Sequence, residues 1–303
     1  MKAASRLELD RPVKKPVVYV SSGAFDVGSV NELLGVARDW GIDRIELSSG
    51  LPPDAAALDV ARAGARDDFT FLVHNYFPAP LEPFVLNLAS GDADSLRASR
   101  SHCRSSIDLC AELACPFYSV HAGFAARLRP EHLGRKLPPE LAMPRDEAET
   151  IFEDSIGELV AYGERRGVRL LVENNVVAPF NLQQGHNELL LLAEPSELVD
   201  FASRIGSPTF GYLIDVAHAY VSATTLGFDP VPFLKQVKPW TAALHLSAND
   251  GTRDTNDPFG PDAWFIPHLE HFKDVIMVVE AYRLRREQLE ACLKAIENAV
   301  DEI

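Results

Sequence analysis

FGYLIDVAH, residues 210–218, is the stretch on which the fold turns. Its first six residues form a nearly continuous apolar run, as expected of a parallel strand covered on both faces. The run stops on Asp215, and His218 follows three residues on. Short runs of the same kind recur on both sides of it: VVYVS (17–21), RIELS (44–48), FTFLVH (69–74), FYSVH (117–121), RLLVE (169–173), TAALH (241–245) and VIMVVE (275–280). Between them lie longer amphipathic segments, among them VNELLGVARDW (30–40), SLRASRSHCRSSIDLCAEL (95–113) and RDEAETIFEDSIGELVAYGERRG (145–167). Gly41 and Gly167 stand at the ends of two of these, where a left-handed helix cap is wanted. Eight strands alternating with helices predict an α/β chain folded as a single closed (β/α)₈ barrel. An open doubly wound sheet is the rival, but no Gly-rich phosphate loop follows the first strand. The barrel is expected over residues 17–303, after an N-terminal tail of residues 1–16. No internal repeat or interdomain linker interrupts it.

Charge narrows the function classes. The 29 Lys and Arg against 44 Asp and Glu leave a net charge of −15, which repels a phosphate backbone and argues against a nucleic-acid partner. No apolar run reaches the roughly 18–20 residues of a membrane span. The opening MKAASRLELDRPVKKP has no apolar stretch before a small-residue cleavage site, so it reads as a tail rather than a signal peptide. A cytoplasmic location is expected, with a small-molecule substrate; a homo-oligomer is compatible with this composition. Cys103, Cys110, Cys115 and Cys292 form no CxxC pair and are expected as buried free thiols.

The strands end in side chains that bind metals: His74, His121, Glu173, Asp215, His245 and Glu280. In a barrel these positions converge on one mouth, where the carboxylates would repel one another without a cation among them. Mixed carboxylate and imidazole ligation suits a divalent metal (Mn, Co, Zn, Fe or Mg), as one or two ions. Taken singly, each histidine is more often a satisfied core or surface residue. Asp215 has a bland alternative as a helix N-cap, and His218 is placed to bind a second ion or a substrate hydroxyl. Asn174 and Asn175, just after Glu173, orient ligands or form a turn. Arg253 and Arg127 grip an anionic substrate group or are merely solvated. The connections 122–144 and 247–264 follow strand C-termini, the chemically active face of such barrels, and read as lids, or for the first equally as an ordinary surface insertion.

This strand-end set, with DVAH after the sixth strand and HLSANDG (245–251) after the seventh, resembles the xylose-isomerase-like barrel superfamily over about residues 17–298. That group holds sugar and sugar-phosphate isomerases and epimerases, inosose dehydratases and apurinic endonucleases. The resemblance to the epimerases implies one metal held by Glu173, Asp215, His245 and Glu280, with Glu173 and Glu280 also acting as acid and base. It implies that His218 helps hold substrate, and that Tyr76 and Phe77 of HNYFPAP (74–80) wall the pocket, although as aromatics they equally read as packing. Asn175, Arg253 and Tyr76 are further candidates for substrate contact. The endonuclease branch uses more ligands. His74 and His121 match its extra histidines and Asp254 an aspartate of its third site, but Asn256 stands where that site needs a histidine. A one- or two-metal centre is therefore implied, with His74, His121 and Glu173 available for a second ion. The implied activity is isomerisation or epimerisation of a small sugar, sugar phosphate or related polyol or keto acid, by proton transfer through a metal-stabilised enediolate. Metal-dependent hydrolysis of a small phosphoester and dehydration are the alternatives.

Overall fold

A parallel strand buried on both faces needs helices on one side and packed side chains on the other, and a closed sheet supplies both. In a computed structural model, which describes residues 16–132, 135–137 and 139–301, the chain closes in this way. The expected tail, residues 1–16, lies outside the described residues but for Pro16. The strands are β1 (Val18–Ser21), β2 (Arg44–Leu47), β3 (Thr70–His74), β4 (Phe117–His121), β5 (Arg169–Glu173), β6 (Phe210–Asp215), β7 (Thr241–Leu246) and β8 (Ile276–Val279). They pair in parallel in chain order, and β8 returns to β1. Each strand end falls within one residue of the sequence expectation.

The surrounding helices are α1 (Val30–Trp40), α2 (Ala57–Arg66), α3 (Ala93–Glu112), α4 (Arg145–Arg166), α5 (Pro195–Ile205), α6 (Val216–Leu226), α7 (Pro230–Val237) and α8 (Arg286–Asp301). Gly41 and Gly167 end α1 and α4 at φ 76° and 72°, the left-handed turn that only glycine adopts without strain. Strict alternation breaks near the end of the barrel. Two helices join β6 to β7, whereas a 3₁₀ turn, Ile266–Phe272, stands between β7 and β8.

Period-2 alternation sets the interior. Tyr19, Leu72, Phe117, Leu171, Leu213, Ala243 and Val278 fill the barrel as one dry cluster. Two residues further along the same inward rows stand Ser21, His74, Ser119, Glu173, Asp215, His245 and Glu280. The apolar layer is thus a floor, and the polar layer rests on it at the C-terminal mouth.

The expectation of lids requires a correction. The 122–144 connection is pinned, not free: Phe124 pairs with Leu190 and Ala126 with Ala142. Ala126, Leu137, Val177, Leu189, Leu190 and Ala193 form a small core of their own beneath it. The connection is a wall, because burying these side chains against the loop after β5 removes the freedom a lid needs. In the 247–264 connection Ala248 bridges Asp257, and Gly251 takes φ 80° where a Cβ would meet Thr224 Oγ1 at 2.8 Å.

All four cysteines are free and buried. Burial pushes the Cys103 thiol up to about 12, against the hydrogen bond donated by Tyr118. At about pH 8 such a group is roughly 10⁻⁴ thiolate, so the native protein is expected to be silent to Ellman's reagent until unfolded. A fast-reacting thiol in the native state would contradict this packing.

Candidate metal centre

His245 organises the mouth. Its Nδ1 lies 2.7 Å from Glu280 Oε2, 3.2 Å from Glu173 Oε1 and 3.9 Å from Asp215 Oδ2. Glu173, Asp215 and His245 are fully buried and Glu280 nearly so. One ligand atom from each of the four lies within 4.8 Å of the others. Two carboxylates at 4.8 Å repel by about 3.5 kcal/mol at an effective dielectric near 20. Three such pairs approach the whole net stability of a domain, on the order of 10 kcal/mol. The three acids therefore cannot all ionise here without a cation.

The orphaned atoms support the fit. Glu173 Oε2 and Asp215 Oδ2 are buried and have no hydrogen-bond partner. Asp215 carries both of the roles weighed for it: Oδ1 accepts the His218 N–H at 2.8 Å, capping α6, while Oδ2 is left for the cluster. Burial, with Glu280 and Glu173 nearby, holds the Asp215 carboxyl well above its usual range against the pull of His218. Burial likewise raises Glu280, although His245 opposes it. Glu173 goes the other way: burial would raise it, but His121, His74 and His245 hold it well below the usual carboxylate range. Burial disfavours a charged His245, yet Glu280, Glu46 and Glu173 prevail and hold it well above an ordinary imidazole.

A second group shares Glu173. His74 Nε2 and His121 Nδ1 lie 3.2 and 3.4 Å from Glu173 Oε2, without hydrogen-bond geometry, and the three together could hold an ion. Ser119 Oγ, 3.0 Å from His74 Nδ1, fixes the ring that presents Nε2. Burial keeps His74 well below an ordinary imidazole, and lowers His121 too, so both offer lone pairs at neutral pH. His218 donates from Nδ1 to the Asn174 carbonyl at 2.9 Å, leaving Nε2 3.2 Å from Asp254 Oδ2. Asn174 also donates to Asp215 O and accepts from Asp215 N, clamping β5 to β6 behind the ligands.

Glu46 is the residue that the strand-end pattern passes over. It stands inside β2, fully buried, with Oε2 3.0 Å from His245 Nε2. An acid flanked by Ile45 and Leu47 at buried positions of the strand was the available signal. It takes the Nε2–H of His245 and leaves Nδ1 to face the other carboxylates.

A cavity of about 660 Å³ opens above the ring, lined by His74, His121, His218, Asp254 and Glu280, and by Tyr76 and Asn175. Not every expected contact is there. Asn175 commits its amide to Gly123 O and Leu191 O. Phe77 is packed in the core away from the lining, and Arg253 and Arg127 are exposed and do not line the cavity. Arg135 does line it. Asn256 donates its amide to the Glu280 carbonyl at 3.2 Å, so at the position where a third-site ligand would stand it fastens backbone instead.

Ion binding competes with protons for His245, Asp215 and Glu280, whose hold on a proton is strengthened in the bare cluster. Because these groups sit above their ordinary values, affinity is expected to rise with pH, by up to about tenfold per unit for each proton released. Calorimetric titration with Mn²⁺ or Zn²⁺ in buffers of different ionisation enthalpy checks both slope and proton count. A pH-independent affinity would mean that these groups are not the ligands.

Comparison with known proteins places the chain. The sequence model of the xylose isomerase-like TIM barrel family matches residues 34–298. No curated protein matches the chain by sequence. Among solved structures, a D-tagatose 3-epimerase-like protein superposes with a TM-score of 0.71 at 19% identity, covering 94% of this chain and 98% of the other. The TTHB071 protein from Thermus thermophilus, soaked with ZnCl₂, gives 0.64 at 22%, covering 94% and 98%. D-psicose 3-epimerase from Clostridium cellulolyticum, with D-tagatose, gives 0.63 at 12%, covering 94% and 97%. At such identities the likeness speaks for the fold. No helix among the described residues is long and apolar enough to cross a membrane.

Proposed function

The chain belongs to the xylose isomerase-like TIM barrel family, and we propose that within it the chain is a divalent-metal-dependent isomerase or epimerase of a small sugar or related polyol or keto acid. The observation that carries this is the buried group Glu173, Asp215, His245 and Glu280, whose acids include two oxygens with no partner. A bound divalent cation would be held by these four and would supply electrophilic stabilisation of charge on a substrate oxygen. Glu173 and Glu280 are the proton carriers: one takes a proton from a substrate carbon and the other returns one. His218, with Nδ1 anchored on Asn174, directs Nε2 toward the cavity beside Asp254, where a sugar hydroxyl can be gripped. The tagatose and psicose epimerases among the structural relatives agree in kind.

Incubation of the Mn²⁺-loaded protein with pentuloses and hexuloses in D₂O is expected to place deuterium on carbon. No metal-dependent uptake across the panel would remove the proposal. A second reading, hydrolysis of a small phosphoester, is favoured by the adjoining group His74, His121 and Glu173, which shares Glu173 with the first. Two tightly bound ions per chain together with phosphodiesterase turnover would select it; a single ion with deuterium uptake would select proton transfer.

A further inference from the structure

We propose that the substrate carries an apolar, ring-sized substituent on its sugar, and that the outer side of the cavity binds that substituent. This rests on the sugar-directed reading above and adds the substrate class. The cavity has two unlike ends. The metal end presents His74, His121, His218, Asp254 and Glu280. The far side, built by the loops after β3, β4 and β5, presents Phe84, Phe124, Leu128, Val176, Phe180 and Leu190.

On that far side Tyr76, Asn175 and Asn181 already have hydrogen-bond partners, while Asn75 Oδ1 has none and His132 and Arg135 also line the cavity. The Tyr76 hydroxyl accepts the Phe84 N–H at 2.7 Å, so its ring is what the cavity meets. Asn175 spends its amide on two backbone carbonyls, and Asn181 Oδ1 accepts the Ala178 N–H at 2.9 Å. A bare sugar bears a hydroxyl on nearly every carbon, and hydroxyls pressed against Phe84, Phe124, Phe180 and Leu190 would lose water without gaining partners. Size argues the same way. A volume of about 660 Å³ is the share of roughly twenty waters, more than the dozen or so heavy atoms of a hexose need. A phosphate is poorly served as well, since Arg135 is the one arginine or lysine among the described lining residues.

The apolar side is also preformed. Phe124 and Leu190 are bridged backbone to backbone, and the Tyr76 and Phe84 rings stand 5.3 Å apart. Leu190 belongs to the small core under the 122–144 wall. A rigid dry surface continuous with a polar centre suits a ligand that is polar at one end and apolar at the other.

The test is calorimetric binding of methyl and p-nitrophenyl β-D-glucopyranoside to the Mn²⁺-loaded protein. The aryl glucoside is expected to bind at least about tenfold more tightly. Phe180→Ala and Phe124→Ala should each cut that ratio to about threefold or less. Equal affinities, no binding of either glucoside, or a ratio that survives both substitutions overturns the proposal. Deuterium uptake separates this from the parent reading. Uptake into free ketoses with no aryl preference sinks the aglycone site alone, whereas aryl preference with no uptake into any sugar sinks proton transfer.

Discussion

Glu280→Gln is expected to lower turnover by roughly 10²–10⁴-fold, the usual worth of a positioned acid or base, while the apo protein melts near the wild-type temperature. Glutamine keeps the shape of the side chain and can still face His245 Nδ1, now 2.7 Å from Glu280 Oε2, but it cannot carry a proton. The backbone at this position does not depend on the carboxylate. Glu280 N–H donates to Leu246 O at 3.0 Å, and Asn256 donates to its carbonyl. Removing one acid from a crowded cluster also relieves repulsion, so the fold loses little. Initial rates on any ketose that takes up deuterium, read beside thermal melts with and without Mn²⁺, check the prediction. Activity within a few-fold of wild type would deny Glu280 its proton-carrying role. A collapse of folding would instead assign the ion a structural purpose.

The barrel was legible because its physics is written locally. Runs such as RLLVE and FGYLID are apolar on both faces, and Gly41 and Gly167 end helices where their positive φ demands glycine. The ligand ring was legible for a related reason. Strand ends share one mouth in any such barrel, so an acid or imidazole closing each run carries its position with it. What the strings of residues hid was tertiary. Asp215 reads as either cap or ligand, and only the separate fates of Oδ1 and Oδ2 show that the cap leaves one oxygen without a partner. Arg253 is close to Asp254 in sequence, yet it is exposed while Asp254 reaches His218. Neighbouring loop residues point apart, and no periodicity reveals which one turns inward. The wall over residues 122–144 escaped notice because the bridge from Phe124 to Leu190 spans two different loops.

Glu46 was missed because it precedes the end of its strand, and its role emerges only through His245. Glu46→Leu is expected to weaken Mn²⁺ or Zn²⁺ binding by about 10–100-fold, the usual cost of removing the outer partner of a ligating histidine. With Glu46 present, Oε2 at 3.0 Å takes the Nε2–H, which fixes the ring so that Nδ1 faces Glu173, Asp215 and Glu280 and offers its lone pair there once an ion displaces its proton. Leucine removes that acceptor, so ring and tautomer lose their anchor. Glu46→Gln retains an acceptor oxygen and should recover most of the affinity. A merely structural acid would give a different pattern. Leucine leaves the His245 Nε2–H buried without its acceptor, so the apo form is expected to lose some stability too, and the metal affinity of the glutamine variant beside that of leucine is the deciding readout. The metal-dependent rise in melting temperature should shrink in the leucine variant, because the ion stabilises the fold only in proportion to its affinity. Competition with a chromophoric chelator measures the affinities directly. Unchanged binding in Glu46→Leu, or equal damage from leucine and glutamine, would show that His245 needs no support from β2.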